Sequence, residues 1–137
     1  MKRFDIIEHT ADVGIIAYGG DLREAFTNAA FAMFTLIADL GGVEEVDCRE
    51  IEVEAEDCDS LVVTCLNELL YLVDTEGIVF SRFEVIDLSE VGLKMKCYGE
   101  RIDPVRHELR GGVKAATYYM LKVESNDVHK IQVIFDV

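Results

Sequence analysis

The chain has no tryptophan, a single proline (Pro104) and only three histidines in 137 residues. Basic residues are scarce as well: 13 Lys and Arg stand against 27 Asp and Glu, for a formal net charge of −14. A surface that acidic repels phosphate backbones, and affinity for nucleic acid comes mainly from Lys and Arg. The balance therefore argues against unaided nucleic-acid binding and favours basic protein partners and divalent cations. Long apolar runs are missing too. None approaches the roughly 20 residues of a membrane helix, and Asp5 and Glu8 interrupt any apolar stretch that could follow Lys2-Arg3 in a signal peptide. Both absences point to a cytoplasmic protein. Cys48, Cys58, Cys65 and Cys97 lack C-x-x-C spacing, which argues against structural zinc and for reduced, packed thiols. G-x-S-x-G, P-loop, H-E-x-x-H and Rossmann fingerprints are all absent.

What is present suits one domain, residues 1–137. Half of the residues are hydrophobic, enough for one real core at this length. Phe4 to Glu8 and Val13 to Tyr18 read as strands. Asp21 then caps a helix, with Glu24 three residues on as in a capping box. Leu22, Ala25, Phe26, Ala29, Met33, Phe34 and Ile37 recur at helical spacing, and Gly41-Gly42 offers a stop. Glu50 to Glu56 alternates, with Ile51, Val53 and Ala55 on one face and four glutamates on the other, as in a half-buried strand. Asp57-Cys58-Asp59-Ser60 opens a second amphipathic helix along Leu61, Cys65, Leu66, Leu69 and Val73, closed by Asp74 to Gly77. Val79 to Asp87 and Gly92 to Tyr98 form a hairpin through Ser89-Glu90-Val91. Val113 to Glu124 alternates throughout, and a last strand covers Lys130 to Val137. The pattern predicts an α+β fold, a two-layer domain with two amphipathic helices on one face of a mostly antiparallel or mixed sheet.

Gly99 to Gly112 resists assignment. It concentrates Arg101, Arg106, His107 and Arg110 in an otherwise acidic chain, and loops of this length are commonly functional or mobile. The Arg101–Arg110 loop is thus a candidate contact site, set against a solvated loop with internal ion pairs.

Two short stretches carry the candidate chemistry. Glu8-His9-Thr10-Ala11-Asp12-Val13-Gly14 places a polar knot directly before an apolar strand. Asp136 sits near the end of a strand that is otherwise apolar, followed by the α-carboxylate of Val137. If the last strand pairs with Val13–Tyr18, then Asp12, Asp136 and Val137 gather oxygen donors fit for a hard cation. If it does not, both aspartates are ordinary strand-end residues. Lys114, after Gly111-Gly112, is the natural counter-charge.

His9-Thr10-Ala11-Asp12-Val13-Gly14, Gly99 to His107, Val113-Lys114-Ala115-Ala116-Thr117-Tyr118-Tyr119 and the terminal Phe135-Asp136-Val137 together resemble the archease family, in order and over essentially the whole chain. Tyr119 stands where the family often has histidine. The resemblance implies a compact α+β accessory protein of tRNA splicing. Such a protein activates the GTP-dependent tRNA-splicing ligase, promotes its guanylylation and multiple turnover, and contacts tRNA only through it. It implies a protein cofactor of an RNA ligase, not an enzyme. It also implies a metal site at Asp12, Asp136 and Val137, with Ca²⁺ expected and Mg²⁺ or Mn²⁺ as alternatives, and a functional lysine at Lys114. The competing expectations are a chaperone-like interaction module with a structural metal, and a weak metal-dependent phosphohydrolase.

Overall fold

The computed structural model describes residues 2–9 and 12–137, with the backbone alone at His9. Thr10 and Ala11, the middle of the polar knot, lie outside the described residues. Among the described residues there are eight strands, two α-helices and one short 3-10 helix, and every strand pair is antiparallel. The α+β class holds, with the strands divided between two sheets.

The larger sheet contains β1 (Phe4–His9), β2 (Asp12–Gly19), β6 (Ala115–Ala116), β7 (Lys122–Ser125) and β8 (His129–Asp136). Its order is β1-β2-β8-β6, with β7 also pairing β8. The smaller sheet has β5 (Gly92–Arg101) between β3 (Asp47–Glu54) and β4 (Ile78–Leu88). The outer face of this sheet is a charge ladder: Lys96 of β5 lies between Glu50 and Glu84, and Lys94 between Glu52 and Asp87. The glutamate row is thus balanced by the central strand, which is the cross-strand pairing that stabilises such a face.

Two helices, α1 (Leu22–Ile37) and α2 (Cys58–Glu76), cover the inner faces. Both begin as the sequence predicts. The Asp21 side chain accepts the Glu24 N–H at 2.8 Å, and the Asp57 side chain accepts the Ser60 N–H at 2.8 Å. Glu24 reaches back to the Gly20 N–H at 3.0 Å. Helix α2 ends on Gly77 in the left-handed region at φ 62°, where a side chain would be strained. Helix α1 ends at Ile37, earlier than the expected stop at Gly41-Gly42. Ala38 is extended and bridges to Leu109, while Gly41 and Gly42 belong to a 3-10 turn that Asp39 caps.

Phe34 of α1 anchors the core. Its ring lies 5.6 Å from Phe80 and 5.4 Å from Phe83, both on β4. Ile15, Ala17, Ile131, Val133 and Phe135 close the same core from the larger sheet. At Gly99 the chain passes so close to β4 that a Cβ would stand 1.9 Å from the Val79 carbonyl oxygen. Only glycine fits that approach.

All four cysteines are free thiols. Burial pushes the Cys65 thiol up to about 12 and the Cys97 thiol upward as well, so both stay protonated and inert. Cys48 departs from the expectation of packed thiols, for it is exposed. No helix among the described residues is long and apolar enough to cross a membrane.

The continuous strand expected over Val113 to Glu124 is broken. Thr117 turns both its N–H and its hydroxyl onto the Ile134 carbonyl, at 3.1 and 2.8 Å. A turn follows, closed by the Leu121 N–H on the Tyr118 carbonyl at 3.2 Å. Only then does β7 resume the pairing with β8.

Candidate functional site

Register decides where the carboxylates fall. Strands β2 and β8 pair from Gly19↔His129 to Val13↔Phe135. One residue further on, Asp12 and Asp136 stand on neighbouring strands at the same end of the sheet. Side chains alternate along a strand. Ile15 and Ala17 on β2 face the core, as do Ile131, Val133 and Phe135 on β8, so Asp12 and Asp136 share the opposite face. Beneath them Ile134 lies flat on Gly14. A Cβ at Gly14 would meet Ile134 Cδ1 at 2.5 Å and the Val133 carbonyl at 2.9 Å. Gly14 therefore lets Ile134 be buried just below the pair of carboxylates.

Lys114 and Val137 complete the geometry. Ala115 pairs with Asp136 from the other side of β8, and the Lys114 N–H donates to the Asp136 carbonyl at 2.8 Å. Lys114, Asp136 and Val137 are exposed and Asp12 is half-buried. The two aspartates and the Lys114 backbone thus lie at one end of the sheet, as they must if the last strand pairs with β2. Among the described residues, no three His, Cys, Asp or Glu side chains are grouped closely enough to hold a metal ion. The side-chain donors here are two hard carboxylate oxygens sets, of the kind that suits Ca²⁺ or Mg²⁺.

Sequence reasoning missed a second cluster. Glu100, on β5, is buried although it shares the strand face of Lys94, Lys96 and Tyr98. Arg106 Nη2 donates to Glu100 Oε1, the Glu44 N–H donates to Oε2 at 2.6 Å, and His107 Nε2 lies 3.1 Å from Oε2. His107 is fully enclosed, and its Nδ1 accepts the Asp103 N–H at 2.9 Å. That acceptor role leaves the proton on Nε2, facing Glu100. No alternation could reveal this, because the segment after β5 folds back over Glu100 and buries it.

The same segment is strapped to the end of α1. The Asp39 N–H donates to the Glu108 carbonyl at 2.9 Å, and the Arg110 N–H to the Ile37 carbonyl at 2.8 Å. Arg106 Nη1 reaches the Gly42 carbonyl and Arg110 Nη1 the Thr35 carbonyl, each at 3.2 Å. Of the two forms expected for this loop, the internally paired one is seen: Arg106, His107 and Arg110 all bond within the molecule, while Arg101 is exposed at the end of β5.

Hydrogen bonding from Arg106, then from the Glu44 N–H, holds the Glu100 carboxyl down at about 2 from its ordinary 4.5. A carboxyl lowered in the fold stabilises it fully above 4.5, and that contribution is lost as pH falls from 4.5 through 2. Glu100→Gln should therefore melt below wild type at pH 7, with the gap closing as pH falls through that window. A constant gap from pH 7 to 2 would contradict the assignment.

Comparison with known proteins places this geometry in context. Residues 4–137 match the family described as Archease protein family (MTH1598/TM1083). "Protein archease" of Pyrococcus abyssi is 50% identical over 127 residues, covering 90% of this chain and 89% of that protein. The Methanothermobacter thermautotrophicus protein of the same name is 44% identical over 140 residues, 99% of each. Among solved structures, Methanobacterium thermoautotrophicum protein 1598 superposes with a TM-score of 0.85 at 40% identity, covering 100% of both chains. A Thermotoga maritima structure, described as an archease and possible chaperone, gives 0.67 at 24% identity over 96% of this chain and 94% of that one, a likeness of fold.

Proposed function

The chain belongs to the archease family, and from that premise we propose that it is an accessory activator of the GTP-dependent tRNA-splicing ligase. In this reading it promotes ligase guanylylation and repeated turnover and carries out no chemistry of its own. It works in the cytoplasm and meets tRNA only through the ligase. The observation that carries the proposal is the register of β2 and β8, which sets Asp12 and Asp136 side by side at one end of the sheet in a chain of net charge −14.

Asp12 and Asp136 would hold a divalent cation, Ca²⁺ before Mg²⁺ or Mn²⁺, together with the α-carboxylate that Val137 bears where it is the last residue. When bound, such a cation supplies charge stabilisation at a phosphoryl group. The protein's own contribution is positional. Two side-chain carboxylates, even with that terminal one, are too few donors to close a Ca²⁺ shell of roughly six to eight oxygens, so this end of the sheet is suited to share an ion with another protein's ligands. Carboxylates so placed also draw the sheet end towards the electropositive cleft that a GTP-using ligase must have. Gly14 and Ile134 give the pair a rigid floor. Lys114, anchored through its backbone N–H to the Asp136 carbonyl, is exposed and would serve as the counter-charge to the carboxylates or to a phosphate.

Guanylylation of the cognate ligase with GTP and a divalent cation tests the proposal. Substoichiometric addition of this protein should accelerate the reaction and let each molecule serve many ligases. No acceleration of a demonstrably active ligase would overturn the activator reading. Hydrolysis of GTP or a phosphoester by the protein alone would instead make it an enzyme.

A further inference from the structure

Between β6 and β7, three large side chains in a row are exposed: Tyr118 by 59%, Tyr119 by 55% and Met120 by 46%. Single exposed apolar residues are normal, whereas three together with two aromatics are not. The turn that presents them is fixed. Met120 holds φ 54°, a left-handed conformation that a non-glycine residue adopts at an energetic cost. Gln132 Nε2 donates to the Met120 carbonyl at 2.8 Å, and Thr117, just before the turn, donates its hydroxyl to the Ile134 carbonyl at 2.8 Å. The turn returns Leu121 to the core and leaves the three side chains before it exposed.

Its place in the sheet gives this exposure a purpose. The segment from Lys114 to Met120 runs along β8 from Asp136 to Gln132. Thr117 sits at Ile134, two residues from Asp136, or about 7 Å along the strand at roughly 3.3 Å per residue. The aromatic turn and the carboxylate end therefore share one sheet edge. Lys114 and Lys122 bracket the turn, but Asp12, Asp136 and Glu124 stand beside them on the same sheet. That mixed field lacks the basic excess that an RNA platform needs.

We propose that the Tyr118–Met120 turn is the docking anchor by which this sheet edge seats on its protein partner. The three side chains enter an apolar recess of the partner that is rimmed by Lys or Arg, which face Asp12 and Asp136. Tyrosines that bring large, stiff area are the residues that dominate such contacts. The proposal rests on the activator reading and makes the ligase the partner: the turn supplies affinity, the carboxylates supply activation.

The experiment measures the Kd of the ligase for wild type, for Tyr118→Ala/Tyr119→Ala and for Met120→Gly, beside guanylylation at saturating activator. The tyrosine double variant should bind at least tenfold more weakly yet still stimulate at saturation. Met120→Gly suits the left-handed position, so its melting point should equal or exceed that of wild type while its Kd rises several-fold. A turn with a purely structural role would change melting and leave Kd alone. Unchanged Kd in both variants, with a wild type that stimulates, overturns the docking anchor only. Loss of binding to a single-stranded oligoribonucleotide, with ligase affinity intact, overturns it in favour of an RNA surface. A wild type that neither binds nor stimulates overturns the activator reading and the anchor with it.

Discussion

Replacing Asp136 by alanine should return ligase guanylylation to its unassisted rate while leaving the melting point within a few degrees of wild type. The side chain is exposed at a strand end and faces away from the core. Substitutions of that kind usually change stability by no more than about 0.5 kcal/mol. The backbone pairing with Ala115 and the Lys114 N–H needs no carboxylate. In the proposed mechanism activation does need it, because without Asp136 the sheet end keeps one aspartate and can neither share a hard cation nor complement a basic cleft. Asp12→Asn should do the same from the other strand. Calcium titration by calorimetry gives a readout independent of the ligase, and both variants should bind the ion more weakly than wild type. Full stimulation by a folded Asp136→Ala protein would remove the carboxylates from the mechanism. It would leave an interaction module whose work is done by surface contact alone.

Phe34→Ala should have the largest effect on stability, a loss of about 3–5 kcal/mol. Natural domains hold about 5–15 kcal/mol in total, so much of the margin would go. Phe34 is fully buried and touches both Phe80 and Phe83. Its helix packs against β2 and β8 of one sheet and β4 of the other, so the vacated volume lies where the two sheets are coupled through α1. Urea denaturation checks this: the midpoint should drop with the slope unchanged. A loss below about 1 kcal/mol would mean that neighbouring side chains collapse into the space.

Local signals in the sequence translate well into structure. Asp21 and Asp57 cap helices because a short carboxylate followed by an apolar stripe has few other uses. The alternation of Ile131, Val133 and Phe135 against Gln132, Ile134 and Asp136 fixes which way Asp136 faces. Once β8 pairs with β2, the same parity puts Asp12 beside it. Features set by distant contacts stay hidden. Glu100 sits on the face of two lysines and is buried only because Arg106 and His107 fold back over it. Helix α1 stops at Ile37 since Ala38 is recruited by Leu109, far along the chain. The period of Val113 to Glu124 reads as one strand, yet Thr117 diverts the chain onto Ile134 and releases Tyr118 to Met120 from the sheet.

The pairing of β2 with β8 joins segments more than a hundred residues apart, and this governs how the protein comes into being. Hairpins such as β4–β5 close locally and fast. The centre of the larger sheet must instead wait for a long loop to close, and chains ruled by distant pairings fold slowly. Until that moment Ile131, Val133 and Phe135 have no complete core to enter, and Asp12 and Asp136 are two unrelated residues on a loose chain. The carboxylate pair therefore forms only with that long-range closure.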